Sequence, residues 1–190
     1  MKFIWVYFVF NLFLFQEKIT PSSISDAAIS IIDPTIYYNG AYQQITYPGG
    51  DVDPKIGVCT DVVIRTFRKL GLDLQKEIHE DMAQNFSLYP NNWGLNKPDK
   101  NIDHRRVYNQ MKYFERKGFS LPISNRSENY QPGDIVAWDL GGGLTHIGVV
   151  IDRLSNYSDR YLIVHNIGSG QVVEDILFNY KIIGHYRFRE

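Results

Sequence analysis

DIVAWDL (134–140), HIGVVID (146–152) and YLIVHNI (161–167) are three short runs rich in β-branched and aromatic residues. Gly141-Gly142-Gly143 parts the first two, and a Ser/Asn/Asp-rich loop parts the second and third. Runs of this length between turn-forming residues read as β-strands. Two more, VVEDIL (172–177) and IIGHYRF (182–188), follow in the same manner. Strands this closely connected are expected to form an antiparallel meander. Upstream the period changes. In VCTDVVIRTFRKLG (58–71) the apolar residues Val58, Val62, Val63, Phe67 and Leu70 recur at helical offsets, and Gly71 supplies a stop. SDAAISIIDPTIYY (25–38) predicts a first helix from near Ser25 to about Asp33-Pro34, and RRVYNQMKYFERKG (105–118) predicts another. Helices first and strands after make an α+β architecture.

The chain has 190 residues, enough for one domain with a real core, here placed at 23–190. Within it, 72–106 reads as a polar and aromatic insertion with a helix from about Leu74 to Phe86. Residues 1–22 read differently. FIWVYFVFNLFLF (3–15) is too short to cross a membrane as a helix but suits the apolar heart of a secretory signal. The polar stretch behind it, with Ser23 and Ser25 as small residues for a cleavage point, leaves both a removed leader and a retained anchor open. Export to the periplasm or cell envelope is the expectation, with membrane contact only through this segment. Formal net charge is −1, so no basic field exists to hold nucleic acid, and a monomer is expected.

The single cysteine, Cys59, rules out an internal disulfide. It lies where the loop YPGGDVDPKIG (47–57) runs into a helix, and a helix N-terminus favours a thiolate and offers N–H groups to an oxyanion. Asp61 opposes this unless it is turned outward. A small buried hydrophobe is the other reading of such a cysteine. A base must be one of five histidines: His79, His104, His146, His165 or His185. His146 opens one strand and His165 closes the next. If those strands pair, the two imidazoles meet, as a base and its orienting partner do.

His79, Glu80, Asp81, Asp103 and His104 are of metal-ligand type. However, three are consecutive and no Cys pair or His-x-x-x-His spacing is present, so neither a metal nor a cofactor is expected. For Arg105 and Arg106, two readings stand side by side. They hold a substrate carboxylate in a groove walled by Tyr47 and Trp93, or they belong to a polar network that pins the insertion.

QPGDIVAWDL, THIGVVID and YLIVHNIG together resemble the distal half of the NlpC-type and CHAP papain-like cell-wall cysteine peptidases. Over nearly all of residues 30–188 the chain resembles still more closely a bacterial family catalogued as domain of unknown function 1287. YPGGDV, GVCTDVVIR, LQKEIHEDM, WGL, NIDHRRV, PGDIVAWDL, HIGVVID and VHNIGSG carry that likeness, in order. The resemblance implies a papain-like fold, Cys59 as nucleophile, His146 as base and His165 as the residue orienting it. It departs at Val58-Cys59-Thr60-Asp61-Val62, where NlpC-type enzymes read Asp-Cys-Ser-Gly, which bears on the substrate subsite and on Asp61. The activity expected is hydrolysis of an amide in peptidoglycan peptide or a related cross-link. A non-catalytic envelope-binding domain and a thiol acyltransferase are the alternatives.

Overall fold

A computed structural model describes residues 18–189; the leader predicted from residues 3–15 lies outside them. Among the described residues no helix is long and apolar enough to cross a membrane. The elements run α1 (Pro21–Ser30), β1 (Tyr37–Tyr38), β2 (Ile56–Gly57), α2 (Cys59–Lys69), α3 (Leu74–Asn85), α4 (Val107–Arg116), β3 (Ile135–Gly141), β4 (Leu144–Leu154), β5 (Tyr161–His165), β6 (Val172–Glu174) and β7 (Lys181–Tyr186).

The first helix starts earlier than its sequence suggests, and the expected boundary at 22/23 falls inside it. Thr20 caps it: its hydroxyl accepts from Ser23 N–H while the Ser23 hydroxyl takes the Thr20 N–H, and Pro21 fills the first turn. The serines read as a cleavage region thus have structural tasks. Ser23 closes the cap, and buried Ser25 accepts the Asp152 N–H at 2.8 Å. Ile19, ahead of the cap, is already in the core.

β1 and β2 form a short parallel pair, and the last five strands form one antiparallel sheet in the order β6-β5-β4-β3-β7. The meander expectation holds from β3 to β6. The final strand departs from it, crossing over to pair with β3 instead of following β6. Asp134, in the Pro132-Gly133-Asp134 turn, explains the attachment. Its buried carboxylate receives His185 Nε2 at 2.8 Å and the Arg187 guanidinium at 2.6 and 2.8 Å, both from the end of β7.

Both faces of the central strands are buried, so they read as continuous apolar runs. On one face, Ile135, Ala137, Ile147, Val149, Ile151 and Val164 pack against the helices. On the other, Val136, Trp138, Val150 and Ile163 meet Tyr130, Ile176 and Leu177 from the connections. Gly148 permits the close approach of β4 and β5. A Cβ there would stand 2.7 Å from Ile163 Cγ2, 2.9 Å from the Val164 carbonyl and 3.1 Å from His165 Cβ. This contact brings the two strand-borne histidines together.

Candidate active site

Cys59 is the first residue of α2, and neighbours on all sides hold that turn. Asp61 Oδ2 accepts the Val58 N–H at 2.7 Å and closes the helix start. The Thr60 hydroxyl donates to the Arg105 carbonyl at 3.0 Å, and Gln110 Nε2 donates to the Thr60 carbonyl at 3.2 Å. Buried Asn166, just past β5, reaches the Gly57 carbonyl at 3.3 Å. The start of α2 is thereby tied to the Arg105–Gln110 segment and to the end of β5.

The backbone N–H groups of Ile147, Thr60 and Cys59 itself draw the thiol pKa down, as the placement predicts. Burial outweighs them. Cys59 is only 4% exposed, and desolvation, with Asp61 adding its charge, pushes the thiol up to about 12. Burial thus opposes the resting thiolate that the helix start favours. The phenol of Tyr38 lies close by, and burial together with Cys59 and Asp61 raises its pKa.

His146 and His165 meet as the strand pairing requires. His146 Nε2 and His165 Nδ1 are 3.0 Å apart, with the rings edge to face at 5.0 Å between centroids. Trp138 flanks His146 at 5.6 Å. Burial, reinforced by His165, pushes His146 down to about 3, and burial also lowers His165 against the opposing pull of Glu174. His165 Nε2 continues to Glu174 Oε2 at 3.0 Å. Sequence reasoning missed Glu174, because an acid on a short edge strand reads as solvent-facing. No hydrogen bond joins the Cys59 sulfur to the His146 ring among the described residues. The N–H of Ile147, the residue after His146, lowers the thiol pKa.

The remaining candidates fall elsewhere. Asp61 is not turned outward, and neither it nor Arg105 faces a groove. They bind each other, Nε to Oδ1 at 2.9 Å and Nη2 to Oδ2 at 2.8 Å, with side chains 1% and 2% exposed. Arg105 is further committed to the Asn39 and Ala41 carbonyls. Arg106 stacks on Trp93 at 4.1 Å and pairs with Asp103 at 2.8 Å. Tyr47 packs edge-on to His79 and reaches Glu80 at 3.4 Å. For the arginines, the pinning network prevails over the carboxylate clamp. Asp81 is held by Arg116 and Tyr89. Among the described residues no group of three or more His, Cys, Asp or Glu side chains is placed to hold a metal ion.

A groove of about 520 Å³ between the end of α1 and the Arg65–Lys69 side of α2 does not include Cys59 or His146 in its lining. The chemistry available at the candidate site is a shielded thiol at the start of α2 and a hydrogen-bonded imidazole chain on the sheet that α2 packs against.

A family model described as a domain of unknown function, DUF1287, matches residues 25–188. The chain is also similar to the uncharacterized protein YijF of Escherichia coli (strain K12), with 51% identity over 169 residues, covering 89% of this chain and 82% of that protein.

Proposed function

This chain belongs to the DUF1287 family, and we propose that it is a papain-like cysteine hydrolase that cleaves an amide bond of the bacterial envelope, most naturally in a peptidoglycan peptide. One observation carries this reading. Cys59 opens α2, which packs against β4, and His146 near the start of β4 is held by a second imidazole at 3.0 Å. A thiol at a helix start and an oriented imidazole on the strand packed against that helix are the parts of nucleophilic acyl transfer.

Because the thiol is pushed up and His146 down, the resting pair is neutral, and the proton moves only as the bond forms. The sulfur attacks the substrate carbonyl while His146 takes the thiol proton. N–H groups at the start of α2 receive the developing oxyanion. His146 then protonates the leaving amine, and water, losing a proton to the same imidazole, releases the acyl group. The mechanism requires the sulfur and the His146 ring to reach hydrogen-bonding distance in the substrate complex.

The test is mass spectrometry of isolated peptidoglycan after incubation with wild-type chain, Cys59→Ala and His146→Ala. New peptide fragments with wild type and none with either variant are expected. Equal release by a correctly folded variant, or none by wild type, overturns the mechanism. A second reading, a non-catalytic binding domain, draws support from the burial and raised pKa of the thiol. Under it, wild type and Cys59→Ala bind peptidoglycan alike and neither cuts it.

A further inference from the structure

The direction of the hydrogen bonds in the imidazole chain decides whether His146 is a base at all. A neutral imidazole carries one N–H and one lone pair. His146 and His165 are both buried, so water does not serve their inner nitrogens. Two polarities satisfy the 3.0 Å contact between them. In the first, His146 Nε2–H donates to His165 Nδ1, and His165 Nε2–H donates outward. In the second, His165 Nδ1–H donates to His146 Nε2, which moves the remaining proton of His146 to Nδ1 and removes its outer lone pair.

The next partner along the chain breaks the tie. Glu174 lies on β6 beside β5, and its Oε2 stands 3.0 Å from His165 Nε2. An ionised carboxylate only accepts, so it requires a proton on His165 Nε2. His165 Nδ1 must then accept from His146 Nε2–H, which leaves His146 Nδ1 unprotonated. The second polarity would set a lone pair against a carboxylate at hydrogen-bond distance. Glu174 itself is about half exposed, its side chain 47% accessible, so the carboxylate keeps its hydration while its oxygen reaches a fully buried ring.

We propose that Glu174 is a positioning residue that sets the tautomers of both histidines, so that His146 presents Nδ1 as its basic nitrogen. The proposal rests on the hydrolase reading for its purpose, but the tautomers are measurable without any activity. Glu174→Gln is the informative variant. Its amide can donate to His165 Nε2 as well as accept from it, so the opposite polarity becomes accessible, in a side chain of the same length on a half-exposed edge.

The experiment records long-range ¹⁵N–¹H correlation spectra of the imidazoles in labelled full-length wild type, E174Q and E174A, with rates on peptidoglycan measured alongside. In wild type, both histidines should carry the proton on Nε2. In E174Q a second population with His146 protonated on Nδ1 should appear, and kcat should fall roughly 10- to 100-fold with KM little changed, the range expected when a charged hydrogen bond is lost. E174A, where water replaces the carboxylate, should lie between. Protonated Nδ1 on His146 in wild type, or tautomers unchanged in both E174Q and E174A, overturns the assignment. Correct tautomers without activity in wild type overturn the hydrolase reading and leave Glu174 as the group that sets the tautomers.

Discussion

Replacing Asp61 with Asn tests whether this carboxylate serves the fold or a ligand. The side chain is 1% exposed and accepts three hydrogen bonds: two from Arg105 at 2.8 and 2.9 Å and one from the Val58 N–H at 2.7 Å. Asn keeps the shape but removes the charge, leaving the Arg105 guanidinium, 2% exposed, without a counter-charge. Breaking a buried pair from one side costs about 3–5 kcal/mol. Weakening the cap on Val58 adds about 1 kcal/mol. A domain with about 5–15 kcal/mol to lose would be brought near its limit. The assay is urea unfolding followed by circular dichroism, comparing wild type, Asp61→Asn, Arg105→Met and the double variant Asp61→Asn with Arg105→Met. Each single change should cost several kcal/mol, and the double change less than their sum, because no charge remains buried. An Asp61→Asn protein within about 1 kcal/mol of wild type, or a fully additive cycle, would refute the reasoning and return Asp61 to the substrate groove.

Alkylation of Cys59 by iodoacetamide should accelerate steadily with pH up to pH 10 without levelling. A thiol moved from 9.0 to about 12 holds ~1000-fold less thiolate at pH 8; a plateau below pH 8 would instead establish a preformed thiolate. His104 is buried with Nδ1 unpaired and is pushed from 6.5 to about 3, first by burial and then by the charges of Arg105 and Arg68. Below pH 6.5 the unfolded chain takes up a proton that the folded chain refuses. Its contribution is therefore complete above that pH and lost as pH falls towards 3. Between pH 7 and pH 4 the loss from this residue is about 3 kcal/mol. His104→Gln should flatten the acid limb of a urea-midpoint profile by that amount, and an unchanged limb would show that His104 is not the group responsible.

The strands and the meeting of His146 with His165 were legible because both follow from local pattern. The β-branched runs name themselves, and a strand start facing a strand end needs only that neighbours pair. What escaped was non-local or energetic. Nothing in IIGHYRF says that it pairs with β3, since the tie is made by Asp134 to His185 and Arg187. Asp61 in a first helical turn reads as solvent-facing, and its true partner is Arg105, 44 residues away. The helix position of Cys59 was readable, but the burial that reverses its effect on the thiol depends on what the completed fold lays over it. A signal for the start of α1 was present in Thr20-Pro21-Ser22-Ser23, a capping residue followed by proline. The apolar run before it drew that segment into the leader.

The crossing of β7 imposes an order on assembly. While the chain is being made, β3 and β4 exist before Lys181–Tyr186 do, so the strand later buried beside β7 begins as a bare rim of unsatisfied amides. Through that interval another nascent copy can pair where β7 belongs, and synthesis must outrun such encounters or be shielded from them. Proteolytic loss of this short last strand would make the vulnerability permanent, although the sulfur and both imidazoles would still be present in the fragment.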